Sequence, residues 1–261
     1  MEDLIAFLPT SAMNPYISLL QAAVESCGVR VEPLPSPITQ DWLREHQGDR
    51  SVLHYHWPSY EFTASGRREM RERLAMWTSH LRYARELDYG VVWTVHNLYP
   101  HEQENRDLQR EGRCIMIECA TGLLVHCRYA AEQLESHFRV QIPISVIPFG
   151  SYEPAFDGTV DTRDARGALS LDPTSFVYLS FGLIRSYNGI DNLIAEFRGY
   201  TAPHTELVIA GLPVTKEAED LLHSASQSDA RIRVFPRFLD REAVRLVFQP
   251  AMQLFCRTRT Y

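Results

Sequence analysis

The chain has 261 residues, 45% of them hydrophobic and 23% charged, which is globular composition with length enough for one large or two ordinary domains. Its 26 basic and 33 acidic residues leave a formal charge of −7, which argues against a nucleic-acid partner. No apolar run approaches the ~18 residues of a membrane span, and the acidic start Met1-Glu2-Asp3 lacks the basic opening of a signal peptide.

Strand and helix patterns alternate along the chain, which predicts parallel sheets. Residues 4–8 read as a first strand, and Asn14-Pro15-Tyr16 as a turn opening a helix over 17–27 with Gly28 as its cap. Strands follow at 29–32 and 51–55, the second running into His54-Tyr55-His56-Trp57-Pro58. A long arginine-rich helix is predicted over 65–87. The strand 91–96 ends in His96-Asn97-Leu98-Tyr99-Pro100-His101-Glu102. Residues 114–120 look like a helix end, 122–125 a strand, 129–137 a helix and 144–148 a strand closing the first half. The stretch 151–172 is rich in Asp, Gly and Pro and reads as an inter-domain boundary. A second α/β unit follows, with strands at 176–181, 206–210 and 231–235 and helices near 190–198, 216–225 and 240–248. Cys27, Cys114, Cys119, Cys127 and Cys256 are odd in number and lack metal-type spacing, so they are expected as buried reduced thiols of a cytosolic protein.

The segment 176–198 says most about function. Phe176-Val-Tyr-Leu-Ser-Phe181 is apolar on both faces, as in the centre of a parallel sheet. Ligands of open α/β sheets sit at the carboxyl ends of such strands. There Gly182 lets backbone approach a ligand, Arg185 offers a planar fork for phosphate oxygens, and the following helix aims its N–H groups at the same place. An anion, and a diphosphate in particular, suits that turn; a solvated turn is the plainer alternative.

Gly182-Leu-Ile-Arg185-x-Tyr-x-Gly189 followed by Ile-Asp-x-Leu-Ile-x-x-Phe resembles the donor-domain opening of family-4-type GT-B glycosyltransferases. That pattern usually reads Gly-x-Ile-Arg-x-Tyr-Lys-Gly, so Asn188 stands where lysine is usual and lacks its charge. The resemblance extends over Asn14-Pro15-Tyr16, His54-x-His56-Trp57-Pro58, Thr94-Val95-His96-Asn97 with Pro100-His101-Glu102, and Ile147-Pro148-Phe149-Gly150-Ser151-Tyr152, where Phe149 replaces the usual histidine. It implies an α/β fold of GT-B type: a Rossmann-like acceptor-side domain at 1–152, a linker at 153–172, and an incomplete nucleotide-sugar domain at 173–261.

The function so implied is transfer of a sugar from a nucleotide sugar to a saccharide or lipid-linked acceptor. It would be retaining and independent of metal or other cofactor, with the nucleotide sugar as co-substrate. Gly182, Arg185, Asn188, Gly189 and Gly211 would hold the donor. His96 would line the reacting centre at a crevice between domains. Asn14, Tyr16, His56, Trp57, Tyr99, His101 and Glu102 would meet the acceptor, their aromatic faces and polar edges matching those of a sugar ring. The helix 65–87 carries Arg67, Arg68, Arg71, Arg73, Arg82 and Arg85 among Met70, Leu74, Met76, Trp77 and Leu81. It reads first as a helix packed on its sheet, and second as a peripheral contact with the inner face of a membrane.

Only three strands of the second domain are evident before the chain stops. Read one base earlier, the codons open to the tail admit Asp-Ala-Val-Val-Leu-Pro-Tyr, the next strand of the resembled family, so a frame change near Gln249 and impaired activity are expected. The rival readings are a GT-B epimerase or phosphorylase, and a non-catalytic module that binds sugar or a partner protein.

Overall fold

The computed structural model describes residues 4–8, 15–48, 51–99, 105–156, 160–185, 188–249 and 253–255. The chain divides into two compact units, Met1–Tyr152 and Glu153–Tyr261.

Unit 1 runs β1 (Leu4–Leu8), α1 (Pro15–Ser26), β2 (Arg30–Pro33), α2 (Gln40–Glu45), β3 (Ser51–Tyr55), a 3-10 turn (Pro58–Glu61), α3 (Arg67–Glu86), β4 (Gly90–Thr94), α4 (Arg106–Cys119), β5 (Gly122–Val125), α5 (Arg128–His137) and β6 (Ile144–Val146). Its six strands pair in parallel in the order β2-β1-β3-β4-β5-β6. After β1 the chain turns outward to β2, then returns to place β3 on the other side of β1. The carboxyl ends of β1 and β3 therefore flank a topological switch point, where sheets of this kind leave a crevice.

Alternation along β3 and β4 decides what each face receives. Leu53, Tyr55, Val91 and Trp93 are buried with the α3 stripe Met70, Leu74, Trp77 and Leu81, whose spacing of three and four keeps one helical face on the core. The Tyr55 and Trp77 rings meet edge to face at 5.9 Å. Four of the six arginines of α3 are occupied by carboxylates. Arg67 pairs with Asp107, Arg68 with Glu72, Arg73 with Glu69, and Arg82 with Glu118. The helix thus packs as its apolar stripe demands, and its charges largely neutralise one another.

Unit 2 contains a 3-10 turn (Glu153–Ala155), α6 (Thr162–Ala168), β7 (Phe176–Phe181), α7 (Ile190–Gly199), β8 (Thr205–Ala210), α8 (Lys216–Ser228), β9 (Ile232–Phe235), α9 (Arg241–Phe248) and β10 (Gln253–Phe255). The four strands are parallel in the order β10-β7-β8-β9. Every residue of β8 is buried, since helices cover both of its faces. Here the switch point lies between β7 and β10, beside the turn after Phe181.

Several expectations are corrected. The tail adds a fourth strand, β10, in register with Tyr178–Ser180. The polar stretch 151–172 holds α6, because Asp161 is that helix's N-cap, accepting from the N–H of Arg163 at 2.8 Å. Asp172 forms a turn in which it accepts from the N–H of Thr174 at 2.7 Å. Arg166 is buried and donates to the carbonyls of Asp172 and Ser175, each at 2.8 Å. α4 begins at Arg106, and the six-residue α2, capped by Thr39, escaped the sequence reading altogether. The described cysteines are free, yet Cys119 alone of them is buried while Cys27, Cys114 and Cys127 are exposed. Cys114 and Cys119 lie five apart on α4, about 140° around its axis, so they face different surroundings.

Candidate functional site

At the switch point of unit 1, the ends of β3, β4 and β5 bring four imidazoles together. His54 and His56 are two apart and share one side of the sheet; their ring centroids are 4.3 Å apart. His96 follows β4, with its Nε2 3.2 Å from Nδ1 of His56. His126 follows β5, with its ring 5.1 Å from that of His96. Trp57 stacks on His96 at 4.5 Å with planes only 16° apart, and Phe149 stacks on His126 at 3.7 Å. Nε2 of His54 lies 2.8 Å from the Thr94 hydroxyl, and Nδ1 of His126 lies 2.8 Å from the carbonyl of Ile147.

Burial and mutual proximity keep His54, His56 and His96 neutral, because a charged imidazole loses hydration and meets its own kind. Burial lowers His54 to about 4. Burial first, then the neighbouring imidazoles, lowers His56 to about 2 and His96 to about 3. At neutral pH His96 is a neutral hydrogen-bonding group and a weak base.

Tyr16, in the first turn of α1, stands edge to face on this group. Its ring lies 5.5 Å from His56, 5.0 Å from His96, 5.7 Å from His126 and 5.6 Å from Phe149. Burial raises its hydroxyl, against the opposing effect of a hydrogen bond with Thr94. The structure thus gathers Tyr16, His56, Trp57 and His96, and adds His54, Thr94, His126 and Phe149, which were not singled out from the sequence as site residues. The available signal was that each lies within a few residues of a strand's carboxyl end. Tyr99 goes elsewhere: its ring meets Phe138 at 6.1 Å and the Arg113 guanidinium at 5.4 Å, within the packing around α4. Asn14, His101 and Glu102 lie outside the described residues.

In unit 2 the turn after β7 is built from backbone. Gly182 has φ 127°, a region L side chains rarely adopt, and a Cβ there would meet nothing within 4 Å. Gly211 has φ 151°, and its Cβ would lie 1.7 Å from the Gly182 carbonyl oxygen. Close backbone approach between the ends of β7 and β8 therefore requires Gly211, whereas Gly182 leaves open space beside it. Gly189 takes the left-handed conformation at φ 67° and starts α7. Arg185 is half-buried in the same turn. Asn188 donates from Nδ2 to the carbonyl of Leu183 at 2.9 Å, and its N–H to the carbonyl of Arg185 at 3.0 Å. The side chain in the lysine position thus closes the turn on itself. A cavity of about 640 Å³ runs from Gly182, Asn188 and Gly189 along the β7–α7 groove to Tyr178 and Tyr200.

No family model matches the chain. Over 233 residues it is 26% identical to the GDP-mannose:glycolipid 4-beta-D-mannosyltransferase of Xanthomonas campestris pv. campestris, covering 89% of this chain and 60% of that protein. The chain therefore spans about 60% of the length of the curated relatives it matches. Among solved structures, HepE of Anabaena in complex with UDP and glucose aligns with TM-score 0.67 and 14% identity, over 97% of this chain and 73% of that one. Sucrose-phosphate synthase of Thermosynechococcus elongatus aligns with TM-score 0.68 and 15% identity, over 97% and 75%. These are likenesses of fold.

Proposed function

We infer that this chain, whose fold is that of the GT-B glycosyltransferases, serves transfer of a sugar from a nucleoside-diphosphate sugar to a saccharide or glycolipid acceptor. The observation that carries this reading is the turn at Gly182–Gly189. Open space beside Gly182, the half-buried Arg185 and the first N–H groups of α7 together suit a diphosphate. The histidine and aromatic group of unit 1 supports the acceptor side, since stacked rings with polar edges match a pyranose.

In this reading the diphosphate leaves with the electrons of the anomeric C–O bond, the acceptor hydroxyl oxygen forms the new one, and the hydroxyl proton passes to the departing phosphate oxygen. His96, held neutral, orients an oxygen of the reacting sugar by hydrogen bonding. Gly182, Arg185 and Gly189 serve the donor. Asn188 contributes by shaping the turn, and Gly211 by admitting the Gly182 carbonyl. The relative's name specifies a β linkage whereas the resemblance implies retention, so the anomeric configuration of the product distinguishes retention from inversion. A glycolipid acceptor would bring the protein to a membrane surface. No described helix is long and apolar enough to cross one.

The test is titration calorimetry with GDP-mannose and UDP-glucose, followed by transfer and hydrolysis assays. Arg185→Ala should weaken nucleotide-sugar binding at least about tenfold, the loss of one charge-assisted contact. His96→Ala should retain binding and lose turnover. Absence of heat with every donor, from a folded protein, would remove the transferase reading in favour of a module that binds sugar alone.

A further inference from the structure

Within the aromatic group of unit 1, two polar atoms have nothing to bond. Nε2 of His56 and Nε2 of His126 are buried without a hydrogen-bond partner among the described residues. For His126 the tautomer follows from its neighbour. A carbonyl only accepts, so Nδ1–H donates to Ile147, and the tautomer with that hydrogen carries its lone pair at Nε2. His56 engages His96 through Nδ1 and has Nε2 left over. Leaving such a group buried and unpaired costs about 1–3 kcal/mol. Two side chains touch the rings that carry both atoms, His96 and Tyr16, and of these Tyr16 lies on them edge to face. Tyr16 meets His56, His96, His126 and Phe149 edge to face, with its hydroxyl bonded to Thr94. It sits in the first turn of α1, directly after Pro15, where rotation about χ1 breaks no helical hydrogen bond.

We propose that Tyr16 is a removable cover over a sugar-hydroxyl subsite whose hydrogen-bonding atoms are Nε2 of His56 and Nε2 of His126. With the ring swung out, both nitrogens face the space it vacates and take hydroxyls of a neutral hexopyranose. Trp57 and the Phe149 ring, the latter 56% exposed, supply apolar faces for its C–H surface. Closure by Tyr16 keeps the subsite dry when empty, at the cost of two unmet hydrogen bonds that a polyol restores. The assignment to an acceptor sugar rests on the transferase reading above.

Carbethoxylation by diethyl pyrocarbonate, resolved by peptide mass spectrometry, tests this without requiring turnover. In the wild type His56 and His126 should react slowly relative to the exposed His137 and His223. Tyr16→Ala should speed both about tenfold, an opening worth 1.4 kcal/mol. Tyr16→Phe, which keeps the ring, should not. Methyl β-D-glucopyranoside at saturating concentration should slow the two histidines again, while His54 stays slow throughout. If Tyr16→Ala proves unfolded by circular dichroism, Tyr16→Leu carries the same comparison while retaining apolar bulk. Unchanged rates would overturn the cover, and acceleration of His54 alongside the pair would reduce it to general loosening. Acceleration without protection by the glucoside would overturn the sugar subsite. Protection together with an absence of nucleotide binding would leave the subsite standing and the transferase reading fallen.

Discussion

In unit 1 the candidate site is made of side chains, whereas in unit 2 it is made of backbone. The first gathers rings from the ends of four strands and from α1, and each ring is held by its neighbours. The second is a turn shaped by three glycines with positive φ, with one asparagine tying it closed. Both lie at switch points of parallel sheets, so topology places them alike. The material differs, and with it the vulnerability: the side-chain site responds to protonation, the backbone site to any added Cβ.

Acid should separate the two units most sharply. His54, His56 and His96 are held at about 4, 2 and 3, so they stay neutral in the folded unit. Unfolded imidazoles take up protons below about 6.5. The unfolded state then binds more protons, so the stability these groups confer is intact above pH ~6.5 and falls as the pH drops from there toward 4. Three such groups lose about 4 kcal/mol per pH unit together, against a domain stability of about 5–15 kcal/mol. Unit 1 is expected to unfold at about pH 4–5. All four tryptophans lie in unit 1, so a red shift of their emission reports it. The histidines of unit 2, His204 and His223, are exposed. Emission unchanged down to pH 4 would erase this difference.

Gly211→Ala should destabilise unit 2 by about 3–5 kcal/mol, through backbone collision and strain. Gly182→Ala meets no neighbour within 4 Å, so only the strain of φ 127° remains, about 1–3 kcal/mol. Its larger effect should be lost nucleotide-sugar binding. Thermal melts followed by far-UV dichroism, with calorimetry at 25 °C, separate the two variants. Equal stability losses would mean that the space beside Gly182 has no bearing on a ligand.

Unit 1 has its own glycine test. A Cβ at Gly112 would come within 2.5 Å of the Phe62 ring, so Gly112→Ala should cost about 1–3 kcal/mol, read by urea unfolding on tryptophan emission. The smallest change is Asn188→Ala, which removes the bond to the Leu183 carbonyl and about 1 kcal/mol of turn stability. Asn188→Lys loses the same bond but adds a cation to the turn proposed to hold the diphosphate. Tighter nucleotide binding by the lysine variant than by the alanine variant would show that this position faces the diphosphate.

The sheets and long helices were legible because periodicity records burial. Met70-Leu74-Trp77-Leu81 reads as a helix stripe; Phe176–Phe181 reads as a strand covered on both sides, whereas the structure buries only its alternate residues Val177 and Leu179. Short capped pieces were not legible. α2 and α6 owe their start to Thr39 and Asp161, residue types that mark loops as readily as caps. β10 lacked any strong pattern, since three residues beside an existing strand need little of one. Of the site residues, His96 and His56 were evident at strand ends. His54 and Thr94 sit within the same motifs, but nothing local indicates that their side chains bond across 40 residues.

What the sequence alone determined is the chain of parallel βα units and the glycine turn after β7, because these depend on local periodicity and on backbone freedom. What only the tertiary structure decided is which rings share the cluster and which atoms are left unpaired within it. Contacts such as Tyr16 on His126 arise from strand order and register, which no single segment encodes. The proton affinity of His54, His56 and His96 follows from the same assembly, since burial is a property of the packed sheet rather than of the residue.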